Sequence, residues 1–230
     1  MEKVSVSTKL AEVPLFEGIP PEGLEIAEQA LRTLVYRPGQ TIFEAGESGH
    51  ALYLIRSGRV KIAHCNLDGK EKVLAYLNPG EIFGEMSLVD EEPRSATATA
   101  VDEVTLHALY LEEYWGLVRR YPRVAHNLAR IIARRLREMN HEVEVLTFEE
   151  ARGRIAYALL KLHRHRFGEP TARGRRMSLT HRELADLAGT SRETATRVLN
   201  QFHERGLVHA GPRTIELLDT RGLENVLYDL

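Results

Sequence analysis

At 230 residues, with 43% hydrophobic and 28% charged side chains, the chain has the composition of an ordinary soluble globular protein, with room for one large domain or two modest ones. A single cysteine, Cys65, excludes an intramolecular disulfide and any cluster held by cysteines alone, which removes a zinc ribbon or an iron–sulfur sensor within one chain. No run approaches the roughly 18 to 20 apolar residues that cross a bilayer, and Met1-Glu2-Lys3-Val4-Ser5 opens no signal-peptide core. The expectation is a cytoplasmic protein with no membrane partner and no metal, Cys65 being a small packed side chain on a strand.

The formal net charge of −2 conceals an asymmetry. From Ala151 onward there are 14 Lys+Arg against 9 Asp+Glu, and before it 17 against 24. A basic module joined to an acidic one is the footprint of a protein that meets a polyanion at one end.

In chain order, Pro21 to Leu31 predicts a short helix opened by Pro20 and Pro21. From about Leu34 to Tyr110, β-branched and aromatic runs alternate with turn signals at Pro38-Gly39, Gly46, Ser57-Gly58, Asp68-Gly69 and Pro79-Gly80. Runs 51–55, 60–63, 73–77 and 104–109 read as strands of a small antiparallel barrel or sandwich.

Inside that region, Gly80 to Ala96 carries chemistry suited to a cyclic phosphodiester. Gly84 permits close approach of the backbone, and a short helix from Glu85 presents N–H groups to an anion. Arg94 can pair with a phosphate, Ser95 adds a hydroxyl, and Glu85 can accept from a ribose 2′-OH. Taken singly, these residues also suit a turn, a surface ion pair and a strand hydroxyl.

Helical periodicity follows from about Pro122 to Leu146. Ala125, Ala129, Ile132, Leu136, Met139, Val143 and Leu146 form a heptad seam that calls for a partner helix, while Val124, Leu128 and Ile131 form a second line to pack on the β domain. The seam predicts a homodimer; the other reading buries both stripes within one chain. A helix over Arg152 to His165 comes next, with Ile155, Leu159 and Leu162 on one face and His163 and His165 solvated. A Gly-, Pro- and Arg-rich loop then runs from Phe167 to Arg176, and the module boundary falls near residue 150.

Beyond it, Thr180 and Glu183 predict a capping box, and Gly189 stops the helix they open. A second helix, capped by Thr190 or Ser191, buries Ala195, Val198, Leu199 and Phe202 and ends at Gly206. Two short helices about a glycine read as a helix-turn-helix, the second entering the major groove of double-stranded DNA. Arg192, Glu193, Thr196, Arg197 and Asn200 share its outer face, and each suits a base edge or phosphate. Glu193 also lies three residues after Thr190, where it can close a capping box instead. Leu207 to Ala210 and Thr214 to Leu218 predict the hairpin of a winged domain.

Two motifs resemble one family, that of the catabolite activator or cyclic-AMP receptor proteins (Crp/Fnr-type regulators). Ser191-Arg192-Glu193-Thr194-x-x-Arg197 is similar to its recognition helix, and Phe83-Gly84-Glu85 with Arg94-Ser95-Ala96 is similar to the phosphate-binding cassette of cyclic-nucleotide-binding domains. The resemblance implies an α+β architecture: a cyclic-nucleotide-binding-like antiparallel β-roll over 1–120, a dimerisation helix and hinge over 121–149, and a winged helix-turn-helix over 150–230. It implies a non-enzymatic DNA-binding transcription regulator with cyclic AMP as allosteric effector, bound at Gly84, Glu85, Arg94 and Ser95. Thr180 and Ser191 join the DNA-contacting set. Arg192 and Arg197 are placed on guanines and Glu193 on a cytosine of a TGTGA-like half-site, and RNA polymerase is expected to meet the loop from Gly168 to Arg176, which also suits a plain basic linker. The chain departs from the family where Met139-Asn140 replaces a hydroxyl pair facing the base. Asn140 can serve a base as donor and acceptor, Met139 cannot, so cyclic GMP, another ligand or nucleotide-independent activation stay open.

Overall fold

The structure is a computed structural model describing residues 10–65 and 71–227. The Asp68-Gly69 turn, the Cys65 side chain and Met1 to Ser5 lie outside the described residues. Two units separate inside one long helix, the first Met1–Arg137 and the second Glu138–Leu230.

The first unit is an antiparallel roll. After a turn of 3-10 helix at Pro14–Phe16 and helix α1 (Pro21–Ala30), the strands are β1 (Arg32–Tyr36), β2 (Thr41–Phe43), β3 (Ala51–Ser57), β4 (Val60–Cys65), β5 (Glu71–Leu77), β6 (Ile82–Phe83), β7 (Thr97–Ala100) and β8 (Val104–Tyr110). They form two four-stranded sheets, ordered β1-β8-β3-β6 and β2-β7-β4-β5. Phe43, Ile55, Val60, Phe83, Val104 and Leu106 fill the space between them. A four-residue helix α2 (Met86–Val89) follows β6, and α3 (Leu111–Arg120) and α4 (Arg123–Phe148) follow β8.

The four predicted strands are present, whereas β2, β6, β7 and α3 carry too little local signal to be anticipated. In β7 the alternation is Thr-Ala-Thr-Ala; its alanines are buried, but alanine has little intrinsic preference for strands. The two stripes of α4 separate only in part, because Ile132 of the seam packs on the same cluster as the second line. Val124 and Leu128 are buried with Leu15, Phe16 and Leu117, with Ile131 packed at the edge of that cluster. Leu136, Met139 and Val143 of the seam are 56%, 62% and 62% exposed in the single chain.

The second unit holds the end of α4, then α5 (Ala151–Arg164), β9 (Glu169–Thr171), β10 (Gly174–Ser178), α6 (His181–Leu187), α7 (Arg192–Glu204), β11 (Val208–Ala210), β12 (Thr214–Leu217) and α8 (Thr220–Leu227). Its sheet runs β11-β12-β10-β9, all antiparallel. The expected face of α5 is buried, and so are Ala156, Tyr157, Ala158 and Leu160, because α5 is central and α8 closes on it. The predicted wing hairpin forms, with Ala210 opposite Ile215.

The segment read as a loop from Phe167 is instead the hairpin β9–β10. Its partner β12 lies some forty residues further on, so no local periodicity announces it. Gly174 is required there by contact: a Cβ on it would collide with Leu217 O. His163 also departs from expectation, since it is half-buried rather than solvated and its Nδ1 is enclosed without a hydrogen bond among the described residues. Burial, and then the neighbouring Arg175, push its pKa down.

Candidate ligand pocket and nucleic-acid interface

In the first unit, Gly84, Glu85, Arg94 and Ser95 come together where β6 turns into α2 and the chain returns to β7. Gly84 adopts φ +74°, and a Cβ there would lie 2.6 Å from Arg94 Nη1. Glycine therefore serves both the turn and the space above the guanidinium.

Arg94 is 5% exposed. Nη1 donates to Gly84 O at 2.7 Å and Nη2 to Ala51 O at 2.9 Å. The guanidinium lies over the Phe43 ring at 4.3 Å and is 5.5 Å from the centre of Tyr53, two rings that stack together with Phe83. Burial lowers its pKa and Tyr53, Glu85 and Glu47 oppose that shift, so it stays the pocket's cation. Arg94 Nε is enclosed without a partner among the described residues. A buried cation with an unused donor is what a desolvated anion needs.

Glu85, also 5% exposed, accepts from Arg135 Nη1 at 2.6 Å, and Arg135 Nη2 donates to Ile82 O. Arg135 was not anticipated, although a signal existed. It continues the line of Val124, Leu128 and Ile131 by the next four-residue step, and a charge on an apolar stripe marks a partner beneath it. Ser95 is exposed, with its hydroxyl 3.6 Å from Met86 Sδ. Met139 and Asn140 belong to the second unit and are exposed on α4.

In the second unit, the capping box forms as predicted. Glu183 N donates to Thr180 Oγ1 at 3.2 Å, and Thr180 N donates to Glu183 Oε2 at 2.7 Å. The cap of α7 is Ser191, whose Oγ accepts from Thr194 N at 3.1 Å. Glu193 is thus the second residue of the helix, not the third after a Thr190 cap, and the capping-box alternative falls away. Its own backbone N–H and then the Ser191 hydroxyl hold the carboxyl below the usual carboxylate range. That hydroxyl is also 3.1 Å from Thr194 Oγ1, so one proton serves two acceptors in turn.

Ala195, Val198, Leu199 and Phe202 are buried, and Arg192, Glu193, Thr196, Arg197 and Asn200 line one open groove together with Gln201 and Glu204. Five anticipated side chains therefore share a surface; Gln201 and Glu204, one turn further along the same face, complete it. The turn beneath is held by Arg154, which was not anticipated. It donates to Ala188 O at 3.0 Å, Gly189 O at 3.4 Å and Glu149 O at 2.9 Å, satisfying carbonyls at the ends of two helices.

In the β9–β10 hairpin, Arg175 Nη1 donates to Gly168 O at 2.8 Å, and Arg176 Nη2 is 3.4 Å from Glu216 Oε2. Both arginines are thus tied to the chain itself. Among the described residues, no helix is long and apolar enough to cross a membrane.

Comparison with known proteins agrees with this geometry. Residues 33–121 match the cyclic nucleotide-binding domain family and residues 153–226 the Crp-like helix-turn-helix domain family. The cyclic AMP receptor protein of Thermus thermophilus is 49% identical, over 94% of this chain and 98% of its own length. The crystal structure of the Thermus thermophilus catabolite activator protein superposes with a TM-score of 0.55 at 49% identity, covering 94% of this chain and 99% of that one. The c-di-GMP-responsive global regulator CLP of Xanthomonas campestris superposes with a TM-score of 0.72 at 26% identity, over 87% of this chain and all of its own.

Proposed function

The chain belongs to the Crp family of DNA-binding transcription regulators, and from that premise we propose that its first unit binds cyclic AMP as an allosteric effector, not as a substrate. The observation that carries this is Arg94: a buried guanidinium on an aromatic shelf, with Nε unused, next to a buried carboxylate. The cyclic phosphate is the partner for Arg94 and the Ser95 hydroxyl, Gly84 leaves it room, and Glu85 accepts from the ribose 2′-OH. Asn140 serves the base as donor and acceptor, with Met139 beside it.

A homodimer closes over the exposed seam of Leu136, Met139 and Val143, and this cytoplasmic dimer binds a palindrome of TGTGA-like half-sites about 34 Å apart. Arg192 and Arg197 read guanines, Glu193 a cytosine, and Asn200 an adjacent base or phosphate, while Thr180 and Ser191 meet the backbone from the helix N-termini. Effector binding biases the packing of the seam and so the spacing of the recognition helices, by no more than its differential affinity for the two arrangements. RNA polymerase is met by the β9–β10 hairpin.

Calorimetry with cyclic AMP and cyclic GMP on the wild type and Arg94→Ala tests the pocket, with retention of a TGTGA palindrome as the functional readout. Cyclic AMP heat lost in Arg94→Ala, with tighter palindrome binding by the wild type when cyclic AMP is present, supports the reading. Equal heats for the two proteins overturn the pocket, and DNA affinity indifferent to either nucleotide points to the nucleotide-independent activator.

A further inference from the structure

Thr196 stands in the groove of α7 among the base-facing side chains, yet its hydroxyl proton is already engaged. Thr196 Oγ1 donates to Arg192 O, one turn back, at 2.9 Å. His181 Nδ1 lies 2.9 Å from the same oxygen. A hydroxyl has one proton, and with that proton on Arg192 O the imidazole nitrogen must bring its own. That arrangement calls for the Nδ1–H form of His181, whose Nε2 is enclosed and without a partner among the described residues.

His181 is the first residue of α6, and Thr196 and Arg192 lie in the opening turns of α7. The chain of bonds from imidazole to hydroxyl to carbonyl therefore crosses between the two helices whose relative angle presents Arg192, Glu193 and Arg197. Apolar contacts between helices leave rotation and sliding soft; a directional bond at the reading end does not.

We propose that His181 is a positioning residue for DNA reading, acting through Thr196 to fix the recognition helix, and that Thr196 is part of this lock and not a base reader. The inference rests on the assignment of α7 to the major groove. His181 itself touches no phosphate, because its one unused nitrogen is closed off from solvent.

The test uses the full chain with cyclic AMP, a duplex carrying a TGTGA palindrome and a scrambled duplex, followed by anisotropy across a salt series. His181→Leu and Thr196→Val are each expected to weaken palindrome binding about threefold to tenfold, the worth of one neutral hydrogen bond. The double variant loses no more than either single one, as coupled partners do. Affinity for scrambled DNA and the salt slope stay unchanged, and His181→Asn, whose amide nitrogen stands where Nδ1 stands, recovers most of the loss.

A salt slope reduced by about one unit in His181→Leu makes it a phosphate contact and overturns the proposal. Additive losses overturn it as well, and so does an imidazole ¹⁵N spectrum of the Nε2–H tautomer. Wild-type protein that binds the two duplexes equally counts against the base-reading assignment, and the tautomer measurement, which needs no DNA, then decides the lock by itself.

Discussion

Arg135 Nη1 stands 2.6 Å from Glu85 Oε1, and this pair joins the long helix α4 to the turn between β6 and α2. Glu85 is almost wholly enclosed while Arg135 is about a third exposed, so the carboxylate depends on the arginine more than the reverse. Replacing Arg135 by Ala removes the direct partner of a buried carboxylate, expected to cost on the order of 3 kcal/mol. Thermal unfolding should show the loss, and Arg135→Met combined with Glu85→Gln should recover part of it. Unchanged stability in Arg135→Ala would mean that Glu85 finds water instead.

Gly84→Ala places a methyl group 2.6 Å from Arg94 Nη1 at a φ of +74°. The backbone strain is about 1–2 kcal/mol, and the guanidinium must leave its bed between Gly84 O and Phe43. Cyclic AMP affinity measured by calorimetry should fall at least about tenfold if the phosphate depends on that bed. Affinity equal to wild type would contradict the fit.

Val143 is 62% exposed on the seam of α4. Val143→Glu places a charge where the second helix is expected, with no core contact to lose in the single chain. Light scattering should report a mass of one chain for the variant and two for the wild type, with unchanged helical content. A wild type of single-chain mass would remove the dimer.

His107 on β8 faces Thr33 on β1, with Nδ1 3.2 Å from Thr33 Oγ1 and Nε2 enclosed. Burial, and then Arg56, push its pKa below the ordinary histidine value of 6.5, with Glu28 opposing. The unfolded chain therefore binds the proton more readily than the folded one, and stability rises with pH across the interval below 6.5. His163 adds a slope of the same sign for the same reason. The stability of the wild type measured by denaturant unfolding should fall as pH falls through that interval, and His107→Gln should flatten the dependence. A steeper slope in the variant would refute the sign.

Arg197→Ala removes one side chain from the groove of α7 without touching its buried face. Palindrome binding should lose about 1–3 kcal/mol, and the preference for guanine at one position of each half-site should relax. A loss equal on all sequences would instead make Arg197 a phosphate contact.

Much of this organisation is written locally. The capping box of Thr180 and Glu183, the two-helix motif around Gly189 and the two stripes of α4 rest on residues at most a few turns apart, where periodicity and capping decide the outcome. Hence five of the side chains that line the groove of α7 were legible one by one. Arg135, Phe43 and Tyr53 around the pocket were not, because they reach Glu85 and Arg94 only through contacts spanning some forty to fifty residues.

By itself the sequence determined the long helix α4, the helix after it, the two-helix motif, the turn residues and the charge asymmetry, since each depends on neighbours in the chain. Only the tertiary structure decided which polar groups are already satisfied. It gave the β9–β10 hairpin its distant partner strand, set Ser191 and not Thr190 as the cap, and left Arg94 Nε unused while it engaged the Thr196 hydroxyl. A buried polar group must find its partner in space, and that partner is fixed by packing between elements that local sequence does not relate.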